Sequence, residues 1–313
     1  MIKKVVLIAN PIAGGGAFDK IRESVAILEK RGFTVHLMLT KKKGDAEAFA
    51  AGTAASVKSG KIAKYKIVKT RDSDIVVFAA GGDGTYNEVA NGLAYSDIPM
   101  AILPLGTTSV LAKELNLPDN LGVTIDAAVK GSIKNIHIGK ITLTNHSPLL
   151  TRYFLLMAGI GFDGDAVYNV NSFIKKLTGK GAYILSGLIS AAVYNPQKLN
   201  ITYDGGNKTD SYGIIIGKAS CYGGSFKVTP DASLFEPRFH AFSFSGNKRG
   251  DIIRYVYGIL KNRHLELSDT EYFSASKIEI NNSGAHVQID GDYLGVTPAK
   301  IEIAENALRL VVP

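Results

Sequence analysis

The chain has 313 residues, 46% of them apolar and 20% charged, which excludes a disordered or collagen-like chain and, at about 150 residues per domain, suggests two domains. Its one cysteine, Cys221, excludes an internal disulfide framework and favours a reducing compartment, and no apolar run reaches the roughly 18 residues needed to span a bilayer. With 36 basic residues against 28 acidic, the net charge of +8 suits an anionic partner such as a nucleotide or an acidic membrane; without aromatic-basic interleaving, nucleic acid is not expected.

The opening stretch, MIKKVVLIANPIAGGG, has a basic start but no small-residue cleavage site, and Asn10-Pro11 ends its apolar run early. It reads as a buried strand over Lys4 to Ala9 rather than a signal peptide. Ile21, Val25 and Leu28 then recur at helical spacing, and Gly32 ends that helix. A strand is expected at Phe33 to Leu39, an Ala-rich helix at Asp45 to Val57 with Asp45 as N-cap, and a buried strand at Asp74 to Ala80. A helix at Asp83 to Leu93, a strand at Met100 to Leu103 and a helix at Thr107 to Leu115 follow. Lys41-Lys42-Lys43 reads as a solvated loop. Alternation of this kind implies a parallel sheet with helices on both faces, with ligands at the carboxyl ends of its strands.

The texture changes after about residue 130. Short strand-like runs are expected at Ile136 to Leu143, Arg152 to Ala158, Lys198 to Tyr203, Tyr212 to Gly217, Arg238 to Phe244, Lys277 to Ile280, His286 to Ile289, Lys300 to Ile303 and Leu308 to Val312. Asp204-Gly205-Gly206-Asn207 is a hairpin signal, and helical stretches are expected at Asp165 to Leu177 and Asp251 to Arg263. The expected fold class is therefore an α/β N-terminal domain, residues 1–130, followed by a mostly antiparallel β-sandwich domain, residues 131–313.

Three glycine-bearing loops follow strands in the first domain. Asn10-Pro11-Ile12-Ala13-Gly14-Gly15-Gly16 permits close backbone approach to an anion. Gly81-Gly82-Asp83-Gly84-Thr85 opens a helix, where free N–H groups favour a polyphosphate; its acid acts either as a helix cap or as a holder of Mg²⁺ or a proton. Pro104-Leu105-Gly106-Thr107-Thr108-Ser109 offers hydroxyls for phosphate, ribose or a helix cap. GxxxxGK[ST], the kinase catalytic-loop and DFG patterns, HExxH and CxxC are all absent from the sequence.

These loops, with GGDGTYNEVANGL (Gly81 to Leu93), ILPLGTTSVLAKEL (Ile102 to Leu115), MAGIGFDGDAV (Met157 to Val167) and VQIDGDYLGVTP (Val287 to Pro298), resemble the diacylglycerol kinase catalytic-domain family in the family's own order. That family comprises bacterial soluble lipid kinases and is related to sphingosine and ceramide kinases. The resemblance runs over nearly the whole chain. It implies an NAD kinase- or phosphofructokinase-like nucleotide domain, a β-sandwich lipid domain, and transfer of the ATP γ-phosphoryl group to a lipid hydroxyl, with Mg²⁺, in an interdomain cleft. Asn10, Pro11, Gly14, Gly81, Gly82, Gly84, Thr85, Glu88, Gly106 and Thr107 are then expected to bind the nucleotide, with Asp83 at the phosphates and metal. Asp290 and Asp292 join Asp83 as catalytic residues, and Asp290 is assigned as general base. The resemblance further implies a cytoplasmic enzyme of phospholipid biosynthesis in transient peripheral contact with the membrane, and leaves room for a homodimer.

The departures are specific. Asp292 stands where the family usually has Glu, and Ser109-Val110 where it usually has Asn-Asp. Glu236-Pro237-Arg238-Phe239-His240 replaces the family's Asp-Gly-x-Leu-Asp. Those family acids belong in some bacterial members to a structural Mg²⁺ network, which this chain is expected to lack or to build differently. GGDGT occurs in versions in NAD kinases, so an NAD kinase-like enzyme is the alternative activity; the glycine motifs after residue 150 fit lipid kinases better. A catalytically silent nucleotide- or lipid-binding member is the alternative outside enzymes. Gly181 to Val193, with Lys175, Lys176 and Lys180 upstream, reads either as a lipid-facing helix or as one buried on the sandwich.

Overall fold

The computed structural model describes residues 4–59, 75–106, 109–169, 196–282 and 284–313. Thr107 and the 181–193 stretch with its upstream lysines lie outside the described residues. The chain divides into two units, Met1–His137 with Glu305–Pro313, and Ile138–Ala304.

In the first unit β1 (Lys4–Ala9), α1 (Ala17–Lys30), β2 (Thr34–Leu39), α2 (Asp45–Ser59), β3 (Ile75–Gly81), α3 (Asp83–Leu93), β4 (Met100–Pro104), α4 (Val110–Glu114) and α5 (Leu121–Lys130) follow in order. The strands are parallel in the order β2-β1-β3-β4, with register Lys4↔Thr34, Lys4↔Ile75 and Val77↔Met100. β1 and β3 are buried along almost their whole length, as strands covered on both faces require. α1 buries Ala17, Ile21, Ser24 and Leu28, a stripe at helical spacing that packs with Val5, Leu7 and Phe78 in one core.

Asp45, expected to cap α2, is its first residue and accepts the amides of Lys41 and Lys42 at 2.8 and 3.0 Å. The orphan amides of Gly44 and Ala46 go instead to the Glu88 carboxylate on α3, at 2.9 and 3.1 Å.

The second unit contains the second half of β5 (Ser132–Leu143), then β6 (Leu150–Phe154), β7 (Met157–Gly161), α6 (Phe162–Asn169), β8 (Leu199–Tyr203), β9 (Asn207–Ser211), β10 (Gly213–Gly217), β11 (Cys221–Tyr222), β12 (Phe226–Lys227), β13 (Phe239–Phe244), α7 (Arg249–Leu260), β14 (Thr270–Ala275), β15 (Lys277–Ile280), β16 (His286–Ile289) and β17 (Asp292–Val296). One antiparallel sheet runs β14-β13-β10-β7-β16-β17. The other includes β9-β8-β15, and β15 pairs with the start of β18 (Ala299–Val312). Alternate residues of both sheets, among them Ala158, Ile160, Ile201, Ile214, Ile216, Ile278, Val287 and Ile301, form one buried core, so the sheets pack as a sandwich. The expected fold class is thus observed: an N-terminal α/β unit and a C-terminal antiparallel β unit.

Two expectations change. Lys300–Ile303 and Leu308–Val312 belong to one strand, β18, whose last part runs parallel to β4 at Leu310↔Met100. The strand expected over Arg152 to Ala158 is two strands in different sheets, because the amides of Leu155, Leu156 and Met157 bond to the side chain of Asp290.

Candidate active site

The first unit gathers its three loops at the carboxyl ends of β1, β3 and β4, where ligands bind in open α/β sheets. The Asn10 amide bonds to the Ala80 carbonyl at 2.9 Å, and its Oδ1 accepts the Ile12 amide at 3.1 Å, which folds the first loop back on itself. The Leu105 amide donates to the Gly81 carbonyl at 3.0 Å, tying the third loop to the second. A Cβ on Gly14 would lie 3.3 Å from the Gly106 Cα, so the first and third loops touch backbone to backbone. Asn10, Pro11, Gly14, Gly81, Gly82, Gly84, Thr85 and Gly106 are therefore brought together, while the Glu88 carboxylate is spent on the start of α2.

Gly82 and Gly84 face open space where a side chain would stand, the bare backbone that a phosphate needs for close approach. Lys20, on α1, donates its ammonium to the Leu105 carbonyl at 2.9 Å and so brings a cation to this loop cluster. Sequence reading passed over Lys20; its place one turn into the helix after the glycines is the signal that points to it. Gly81 has a different duty, since a Cβ there would lie 2.7 Å from the Cβ of Thr85. Gly81→Ala is expected to cost about 1–3 kcal/mol in overpacking and to weaken nucleotide binding, read by thermal melts with and without ATP.

Asp83 joins the second and third loops. Its carboxylate accepts the amides of Val110 and Leu111 at 2.9 and 3.0 Å, and Ser109 Oγ lies 3.5 Å away. The acid thus caps α4 rather than its own helix, while Ser109 caps Ala112 at 3.1 Å. Burial pushes the Asp83 carboxyl above its ordinary range, against the pull of the Leu111 and Val110 amides. Among the described residues no group of three His, Cys, Asp or Glu gathers as a metal cage.

In the second unit, β16 and β17 form a hairpin whose turn residues Asp290 and Gly291 both have positive φ, 48° and 86°, the Asp-Gly turn suited to twisted strands. Asp290 Oδ1 accepts the amides of Leu156 and Met157 at 2.8 and 2.9 Å, and Oδ2 accepts that of Leu155 at 2.8 Å. One carboxylate thus holds the three amides at the point where the chain leaves one sheet for the other. Asp292 is half-buried and opens β17.

A buried polar chain sets the turn from behind. Gln288 Oε1 accepts the Gly291 amide at 2.8 Å, Gln288 Nε2 donates to Asp163, and the Tyr222 hydroxyl donates to the other Asp163 oxygen. Burial pushes the Asp163 carboxyl up, and these two donors oppose it. The motifs MAGIGFDGDAV and VQIDGDYLGVTP therefore form one bonded structure. Gly164 lets α6 lie directly on β16, since a Cβ there would overlap the His286 carbonyl.

At the same end of this sheet, Gly217 pairs with Met157 and with His240. The next residue, Lys218, is fully buried, and its ammonium donates to the carbonyls of Ser233 and Glu236, the latter at 2.6 Å. Its own amide bonds to the carbonyl of Leu156 at 2.8 Å, and Leu156 is one of the three residues whose amides Asp290 holds.

The family profile "Diacylglycerol kinase catalytic domain" matches residues 4–141, and "YegS C-terminal NAD kinase beta sandwich-like domain" matches residues 157–312. The chain belongs to the diacylglycerol kinase catalytic-domain family. A diacylglycerol kinase of Bacillus subtilis is 28% identical over 318 residues, covering 100% of this chain and 97% of that protein. One of Staphylococcus saprophyticus is 26% identical, covering 100% and 96%. A Bacillus anthracis crystal structure, provisionally named a diacylglycerol kinase, superposes with a TM-score of 0.76 at 25% identity, covering 99% of this chain and 97% of that one. The expected membership is borne out, and the family is one of kinases. Among the described residues no helix is long and apolar enough to cross a membrane.

Proposed function

We propose that this chain is an ATP-dependent lipid kinase that transfers the γ-phosphoryl group to a hydroxyl of diacylglycerol or a related lipid. The observation that carries the reading is the convergence of three glycine loops at the strand ends, with bare backbone at Gly82 and Gly84 in the second loop and the Lys20 ammonium on the Leu105 carbonyl of the third. Phosphoryl transfer demands positioning and charge neutralisation more than covalent chemistry. Backbone amides of the glycine loops cradle the phosphates, and Lys20 neutralises them. Mg²⁺ supplies further neutralisation when bound. Both Asp83 oxygens already accept backbone amides, so phosphate oxygens would be its main ligands, with Asp83 as one protein ligand.

The second unit offers the carboxylates to the lipid hydroxyl. Asp290 anchors three amides, so we assign the proton-accepting role to Asp292, two residues on along the same turn. A lipid acceptor puts the reaction at a membrane surface, with the protein bound there peripherally.

The test is incubation with labelled ATP, Mg²⁺, a panel of lipid alcohols and NAD. A phosphorylated lipid supports the proposal, NADP formation would replace it with an NAD kinase, and nucleotide binding without turnover would mark a silent member. Lys20→Ala is expected to raise the KM for ATP about tenfold, a loss typical of one charge-assisted contact, with kcat less affected.

A further inference from the structure

α7 carries an unexplained stripe. Its inner face buries Ile252, Tyr255 and Gly258, with the Tyr255 ring centre 4.6 Å from that of Phe244, the two rings tilted by 35°, and Gly258 against His264. That inner face is enough to fix the helix on its unit. The opposite face presents Arg249, Ile253, Tyr257 and Lys261, spaced four residues apart and so aligned in one row. Ile253 is 51% exposed and Tyr257 61% exposed. Leu265, in the short turn that follows, is also exposed. The Lys261 ammonium lies 5.9 Å from the centre of the Tyr257 ring, so the cation borders the aromatic surface.

The charge around the row is one-sided. From Gly246 to Arg263 the chain has Lys248, Arg249, Arg254, Lys261 and Arg263 against Asp251 alone. Arg254 is neutralised locally by Asp251 and Asp269, at 3.1 and 2.5 Å, and Arg263 by Glu266 at 2.8 Å. Lys248, Arg249 and Lys261 are exposed at the margins of the apolar pair. An aliphatic and an aromatic side chain framed by cations, on a helix fixed by its other face, is the pattern of a helix lying in a lipid headgroup layer.

We propose that α7 is a docking surface for anionic lipid, lying along the membrane with Ile253 and Tyr257 inserted among the headgroups and Lys248, Arg249 and Lys261 on their phosphates. The assignment rests on the lipid-kinase reading for its biological sense and on the charge and exposure of the row for its physics. A second copy of this chain is a poorer occupant, because a two-fold contact through this face sets cation against cation.

The full-length protein is floated with vesicles of phosphatidylcholine alone and of phosphatidylcholine and phosphatidylglycerol in equal parts, at low and high salt. Binding is expected to the anionic vesicles only and to fall with salt. Ile253→Asp with Tyr257→Ser, and separately Arg249→Glu with Lys261→Glu, are each expected to weaken that binding about tenfold or more, with thermal melts unchanged. Turnover of a short-chain diacylglycerol in solution stays within about twofold of wild type. The proposal is overturned if wild type binds neutral vesicles equally or binds neither, if both variants bind as wild type does, or if the row is instead needed for self-association in sedimentation. Docking by this row without any lipid turnover would sink the kinase reading and leave the surface standing. Turnover of the soluble substrate without vesicle binding would do the reverse.

Discussion

Asp292→Asn is expected to lower the turnover of lipid phosphorylation about a thousandfold, the scale of a lost general base, with KM for ATP and thermal stability little changed. Asp290→Asn is expected to act differently. The Asp290 carboxylate accepts three amides, from Leu155, Leu156 and Met157, through two oxygens. An amide side chain keeps one oxygen and turns an NH₂ group toward a donor, stranding at least one backbone N–H. Together with the loss of charge-assisted bonding this costs about 3 kcal/mol. Asn tolerates the left-handed backbone at this position, where φ is 48°, so the loss reports the carboxylate and not the turn. Asp292→Glu restores the residue usual in the family and is expected to keep turnover within about tenfold of wild type. Paired melts and initial rates decide between the two acids. If Asp290→Asn melts as wild type does but is inactive, while Asp292→Asn turns over normally, the roles are the other way round.

The same bonds show how much the sequence disclosed. Lys4–Ala9 and Ile75–Gly81 were legible as covered strands because their apolar character is local and unbroken. The glycine loops were legible for a similar reason, since each punctuates a strand end. The break at Leu155-Leu156 was not, because its cause lies more than 130 residues away in Asp290 and apolar residues continue across it. Periodicity reports which face a residue prefers, not which sheet its amide joins. The bonds of Glu88 were hidden for the same reason: that its carboxylate on α3 accepts the Gly44 and Ala46 amides at the start of α2 cannot be told from its spacing. Asp83 combines both lessons. Its glycine collar marked a special loop, but only the folded chain reveals that the acid caps α4. α5 and β14 were missed because they carry weak patterns, with Val123 exposed and β14 half-buried along most of its length. Lys218 gave no local warning, since lysine is ordinarily a surface residue.

Lys218 is expected to tilt the stability of the protein against pH. Burial lowers its ammonium from the ordinary 10.5 to about 8, with Glu236 opposing the shift. Below about 8 the lysine is charged in both folded and unfolded chains, and the fold bears the full cost of burying the charge. Between about 8 and 10.5 the unfolded chain holds the proton more tightly, so this group makes stability rise with pH across that window. The full excursion is of order 3 kcal/mol, an upper figure because the carbonyls of Ser233 and Glu236 solvate the ammonium in part. Lys218→Met removes the titration, and Lys218→Arg keeps a cation that does not titrate here. Plotted as the difference from either variant, the midpoint of wild type in urea climbs from pH 7.5 to pH 10, while tyrosines and other lysines common to both chains cancel. Parallel profiles would show that the lysine titrates as if in water and would dismiss the buried clamp on the 233–236 loop. A climb that appears against Met and Arg alike assigns the effect to the proton on Lys218, because the two replacements share neither charge nor shape.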